Sequence, residues 1–115
     1  MRRALALLVL IGSIAAAAPA WARADGFILV NATQSNITAM AIRRTGTADW
    51  QPLAATPSAG ARTAVAFDDP DCAFDLRATL AGGASATWGG VNLCEVTSVT
   101  LNRDPASGES WVDYD

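Results

Sequence analysis

The stretch CAFDLRATLAGGASATWGGVNLC, residues 72–94, decides the fold. Cys72, Phe74, Leu76, Ala78 and Leu80 alternate with Ala73, Asp75, Arg77 and Thr79. That two-residue period is a strand with one apolar face. Ala81-Gly82-Gly83 reads as a three-residue hairpin loop, in which glycine supplies the positive φ. On the return strand Ala84, Ala86 and Trp88 continue the apolar face, with Ser85 and Thr87 opposite. After Gly89-Gly90 the parity inverts and Val91 and Leu93 become the apolar positions, which predicts a β-bulge at the glycine pair. The register then sets Leu80 against Ala84, Leu76 against Trp88 and Phe74 against Val91. Cys72 falls opposite Leu93, one residue from Cys94 and within reach of a bridge after a small adjustment.

Working outward, the same periodicity places strands near Phe27–Asn31, Ile37–Thr45, Thr63–Phe67, Ser98–Asn102 and Trp111–Tyr114, with a short extended piece around Trp50–Leu53. Gly, Pro, Asn and Asp punctuate them, and Thr56-Pro57-Ser58-Ala59-Gly60 is a loop by composition. No long helix, repeat or linker follows Asp25. The expected architecture is all-β: a small antiparallel β-sandwich of about seven short strands with one disulfide.

The N-terminus reads as an export signal. Met1-Arg2-Arg3 is basic, Ala4 to Ala18 is apolar or small, and Ala22-Arg23-Ala24 supplies the A-x-A pattern of a cleavage site. Cleavage after Ala24 makes residues 1–24 the signal peptide and 25–115 a single domain; Ala18-Pro19-Ala20 offers an alternative cut. The apolar run is shorter than the roughly 20 residues that cross a bilayer core. Arg2-Arg3 raises the twin-arginine route, but the polar and aromatic neighbours of that motif are missing. Periplasmic or secreted localisation follows, with no membrane span after cleavage.

Removing Arg2, Arg3 and Arg23 leaves five arginines against eleven acids, a formal charge of −6, with no lysine. Nucleic acid and anionic membrane are poor partners for such a chain. Histidine is absent, which removes the commonest general base and transition-metal ligand. No cofactor is implied. Cys72 and Cys94 are the only cysteines, and in an oxidising compartment they permit one intramolecular disulfide. A redox pair would sit close in sequence, as in C-x-x-C, and two free thiols would suit a reducing compartment.

Several of these segments also resemble a known group. Trp50 with Leu53, Val65-x-Phe67, Cys72-x-Phe74-Asp75-Leu76-Arg77 and Trp88-Gly89-Gly90-Val91-Asn92-Leu93-Cys94-Glu95 follow one another as in a family of small exported bacterial β proteins. Its pattern is C-x-[FY]-D-L-R followed by W-x-G-V-[DN]-L-C. The resemblance covers most of the chain after the signal and implies a compact β domain with one disulfide. It implies no activity. The segment between Thr45 and Ala61 is shorter than that pattern leads one to expect.

Candidate sites are few. Asp68, Asp69 and Asp71 precede Cys72, and Asp69-Pro70-Asp71-Cys72 suits a type I turn. The alternative is a calcium site, but the spaced carboxylates of a calcium loop are missing. Asp75 and Arg77 lie on the outward strand face with Glu95 beyond the bulge, in the pattern of a surface ion pair. Trp50 and Trp111 are either rim packing or a stacking platform for a sugar or a partner, whereas Trp88 faces the core. Asn31-Ala32-Thr33 and Asn36-Ile37-Thr38 match the glycosylation acceptor, and the segment Asn31–Asn36 reads as a polar turn.

Three functions compete. The first is a non-enzymatic exported domain that binds a protein, an envelope component or a carbohydrate through Trp50, Asp75, Arg77, Glu95 and Trp111. The second is an inhibitor of a periplasmic hydrolase. The third is a small hydrolase with Asp71 and Asp75 as paired carboxylates, disfavoured by the absence of histidine and lysine.

Overall fold

A computed structural model describes residues 23–115 of the chain. The export segment, residues 1–22, lies outside the described residues. Eight strands follow in order: β1 Ala24–Ala32, β2 Ile37–Arg44, β3 Gln51–Leu53, β4 Arg62–Asp69, β5 Ala73–Leu80, β6 Ser85–Asn92, β7 Ser98–Arg103 and β8 Ser110–Tyr114. They form two four-stranded sheets, β4-β1-β7-β8 and β3-β2-β5-β6. No helix occurs among the described residues. The fold is an all-β sandwich.

Two features depart from the sequence expectation. The piece near Trp50 becomes an eighth strand, β3, by pairing Met40 with Leu53 and Ile42 with Gln51. The sandwich is not wholly antiparallel either, because β1 and β7 run parallel from Ile28–Ser98 to Ala32–Asn102. Parallel neighbours need a long crossover, and here that crossover includes the whole second sheet.

The β5–β6 hairpin keeps its expected register. Phe74 pairs with Val91 and Leu76 with Trp88, and the register shifts between Phe74 and Leu76. Gly82 and Gly83 both take positive φ at the turn. Cys72 and Cys94 form a disulfide with Cα atoms 5.1 Å apart. Such a bond belongs to an oxidising, extracytoplasmic environment. No helix of the described residues is long and apolar enough to cross a membrane.

Between the sheets, Leu29, Val99 and Leu101 from the first meet Phe74, Leu76, Leu80 and Val91 from the second, all fully buried. Trp88 joins them, and its indole N–H donates to the Asn102 carbonyl at 3.0 Å. The wide apolar ring therefore leaves no buried donor unmet. Asn31 and Thr33 are also fully buried. The Asn31 amide donates to the Ser35 and Pro57 carbonyls and accepts from the Thr33 N–H and hydroxyl. These bonds tie the β1–β2 turn, Thr33–Ser35, to the loop before β4.

The two sides of the sandwich differ. On one side β8 packs against β6, and the Tyr114 hydroxyl accepts the Asn92 N–H at 2.9 Å. On the other side β3 is too short to cover β2, and two clefts open between that edge and β4. At the start of β1, Ala24 is fully buried, pairs with Asp69 and donates its N–H to the Asp71 carbonyl at 3.3 Å.

Candidate functional site

Asp75 is where the structure overturns the sequence reading. Its parity points it outward, yet it is only 6% exposed, and its ion partner is Arg43 rather than Arg77. The bulge explains this. Gly90 takes φ +64° and its N–H donates to Asp75 Oδ1 at 2.9 Å. The Thr45 hydroxyl donates to the same oxygen at 2.8 Å, and Arg43 Nε donates to Oδ2 at 2.8 Å. A Cβ on Gly89 would stand in ordinary contact with Oδ1, 3.6 Å away, and it is the positive φ of Gly90 that calls for glycine at the bulge. Asp75 thereby joins β2, β5 and β6 on the outer face of the second sheet. The Gly90 N–H holds its carboxyl below the ordinary range most strongly; burial opposes this, and Arg43 and Thr45 reinforce it.

Trp50 lies over the same face. The Arg77 guanidinium is 4.1 Å from the indole centroid and that of Arg43 is 4.4 Å. Cation–π attraction of this kind fixes both arginines against the ring. Arg77 has no carboxylate partner among the described residues. Glu95 is exposed in the β6–β7 connection at φ +59°. Trp111 is 46% exposed on β8, in the other sheet. Of the five predicted surface residues, Trp50 and Arg77 are in contact and Asp75 is linked to them through Arg43, while Glu95 and Trp111 stand apart.

Of the acidic stretch before Cys72, Asp68 and Asp69 end β4 and the chain bends at Pro70. Asp69 Oδ1 accepts the Asp71 N–H at 2.8 Å, and Asp71 Oδ1 accepts the Cys72 N–H at 2.8 Å. Aspartate side chains mimicking a backbone turn in this way is their usual role there. The acids are also matched by arginines: Asp68 by Arg23 at 2.6 Å, Asp69 by Arg44 at 2.9 Å and Asp71 by Arg44 at 3.9 Å. Desolvation pushes the Asp69 carboxyl up, but the Asp71 N–H and Arg44 together hold it below its ordinary value. Among the described residues no three His, Cys, Asp or Glu side chains converge as metal ligands.

The better-formed cavity lies at the open side. A cleft of about 330 Å³ has Ile42, Phe67 and Phe74 as apolar wall and Arg44, Asp49, Gln51 and Asp69 among its polar lining. Phe67 meets Phe74 edge-on at 5.1 Å between centroids. A second cleft of about 580 Å³, lined by Ala39, Met40, Leu53, Pro57 and Thr63, opens farther along the same side. Apolar walls with a few oriented polar groups are the general composition of ligand pockets.

Known proteins add the fold. No protein-family model matches the chain, and no curated protein matches it in sequence. A protein from Eubacterium rectale, solved by NMR, is similar in structure with a TM-score of 0.56 and 16% identity. The match covers 78% of this chain and 86% of that one. Likeness at such identity carries architecture and no activity.

Sequence reasoning missed the partners of Asp75 and the cleft. Arg43 on β2 and Thr45 just past its end share parity, and the glycine pair is visible in the sequence, so the first had a signal. The cleft had none, because it depends on how far β3 extends.

Proposed function

We propose that this chain is an exported, non-enzymatic binding domain that takes an apolar side chain of a protein partner into the cleft beside β4. The observation that carries this is the cleft itself: an apolar wall of Ile42, Phe67 and Phe74 with charged and amide groups around it. Its volume, about 330 Å³, is at the small end of ligand pockets, fit for one large side chain or a sugar ring.

The chemistry of the acids supports binding over catalysis. A general acid needs a proton near the working pH, whereas Asp69 and Asp75 are both held ionised by their donors. Asp75 has both oxygens engaged by protein donors, which disfavours a carboxylate pair with Asp71.

Export to the periplasm or beyond rests on the basic start, the apolar run and the small-residue cleavage pattern, with the disulfide in agreement. Because Ala24 is buried in β1, the cut after Ala20 leaves the strand whole, whereas a cut after Ala24 removes its first residue.

The test is capture of partners from a periplasmic extract on immobilised protein, with mass-spectrometric identification. Gln51→Trp, at an exposed cleft position, serves as the control. A protein retained by the wild type and lost from the variant supports the reading. Equal retention by both moves binding elsewhere on the molecule.

A further inference from the structure

The cleft beside β4 is unevenly charged. Arg43, Arg44, Asp49 and Asp69 are its ionisable lining. Both cations are already matched by the protein. Arg43 donates to Asp75 at 2.8 Å and lies over the Trp50 ring, while Arg44 donates to Asp69 at 2.9 Å and has Asp71 at 3.9 Å. With those partners included, two cations stand against four carboxylates around one opening.

Asp49 is the acid left over. It makes no ion pair among the described residues. Its Oδ1 accepts the Gln51 side-chain amide at 2.8 Å, and its Oδ2 accepts no hydrogen bond among them. Asp69 keeps its Oδ2 open in the same way, because Arg44 and the Asp71 N–H both donate to Oδ1. Asp49 precedes β3 and Asp69 ends β4, so the two acids come from the two elements that bound the cleft. The rest of the wall is apolar, with Ile42 and Phe74 buried and Phe67 partly so.

Resting on the reading of this cleft as a side-chain pocket, we infer that the side chain it takes is a basic one, a lysine or arginine of the partner protein. Its methylenes lie against Ile42, Phe67 and Phe74, and its charge stands at Asp49. Long basic side chains bury their stems along apolar surface and keep the charged head at the water's edge. That is the shape of this opening: an apolar wall within and an unmatched carboxylate at an exposed position. A neutral side chain would fill the wall and leave Asp49 unmatched, and an acidic one would meet it with like charge. The wider surface selects in the same sense. Without Arg2 and Arg3 the chain keeps six of its eight cations against eleven acids, and an excess of one sign steers partners of the other.

The test is an NMR titration of the isotope-labelled protein with capped tripeptides carrying lysine, arginine, norleucine or glutamate between two alanines, taken to tens of millimolar. Norleucine keeps the lysine stem and lacks the ammonium. The basic peptides are expected to shift the main-chain amide signals of Ile42, Gln51, Phe67 and Phe74 saturably. They should bind about tenfold tighter than norleucine, the factor that one hydrogen bond to a charged group supplies, and glutamate should leave those signals unmoved. Asp49→Asn keeps the acceptor that Gln51 uses and removes the charge, so it should bring the basic peptides down to the norleucine value. If neither basic peptide outbinds norleucine in the wild type, the inference is overturned while the cleft remains a side-chain pocket. Basic-peptide shifts that survive Asp49→Asn undiminished, or that spare the cleft signals, overturn it as well. Silence of those signals toward every peptide overturns both readings.

Discussion

Two acidic regions flank Cys72, and they differ in almost everything but composition. Upstream, Asp68, Asp69 and Asp71 crowd into four residues and attract notice as a cation site. Downstream, Asp75 is a lone acid on a strand. The crowded acids cap their own turn and meet arginines at the surface. The lone acid accepts three hydrogen bonds, two from β2 and the residue just past its end and one from β6, and is nearly buried. Density of charge in the sequence says little about where charge is structurally committed. Burial and the number of oriented donors decide that.

The largest effect is expected from the bridge between the two regions. Opening a loop of the 22-residue separation of Cys72 and Cys94 should cost about 3 kcal/mol in the chain-entropy model. Cys72→Ser and Cys94→Ser should each lower the denaturation midpoint by similar amounts, with little more lost in the double variant. Additive losses would show that the cysteines act separately.

Next comes the buried acid itself. Asp75→Ala strands the Gly90 N–H and leaves Arg43 unpaired, and unmet buried donors cost roughly 1–3 kcal/mol each. A loss of about 2–3 kcal/mol is expected by chemical denaturation, on the scale of breaking a partly buried pair. A loss below that of Asp68→Asn would erase the contrast between the regions.

Acid titration sharpens it further. The folded-state pKa of Asp75 is lowered, so its stabilisation is fully present above the unfolded carboxylate value, about 3.9. That stabilisation is lost as pH falls from there through the folded value. Asp69 shifts in the same direction. Asp75→Asn should therefore narrow its deficit against the wild type below about pH 4, read from melts at a series of pH values. A deficit that stays constant would mean the carboxylate charge is not what the network holds.

The smallest effect belongs to the crowded acids. Asp68→Asn with Asp71→Asn keeps the side-chain acceptors the turn uses and should change stability by less than about 1 kcal/mol. Millimolar calcium should leave the wild-type Tm unmoved, since a ligand bound only by the folded state raises it. A rise of several degrees that the double variant loses would make the turn a cation site.

Much of this arrangement is legible in the sequence where one local rule suffices. The 72–94 hairpin, its loop, its bulge and the inward Trp88 each follow from parity and glycine placement, because strand side chains alternate and a bulge inverts them. The exposed bend at Pro70 follows from proline and aspartate chemistry. For Asp75 the same parity rule gives the outward direction but not the cover. Its burial comes from Arg43 and Thr45, about thirty residues earlier, closing over a bulge that no side chain fills. The cleft was invisible for a related reason. Ile42, Phe67 and Phe74 sit on three strands, and their opening depends on β3 ending after Leu53.

The sequence by itself determined that this chain is an all-β sandwich with a bridged hairpin, since short-range periodicity, turn residues and cysteine spacing are encoded within a few residues. Only the tertiary structure decided that β1 pairs parallel with β7, that Asp75 is buried, that Ala24 belongs to the first strand and that β4 is an edge strand. Those features depend on which distant strands come to lie side by side. That outcome is set by the packing of the whole core, and no local pattern carries it.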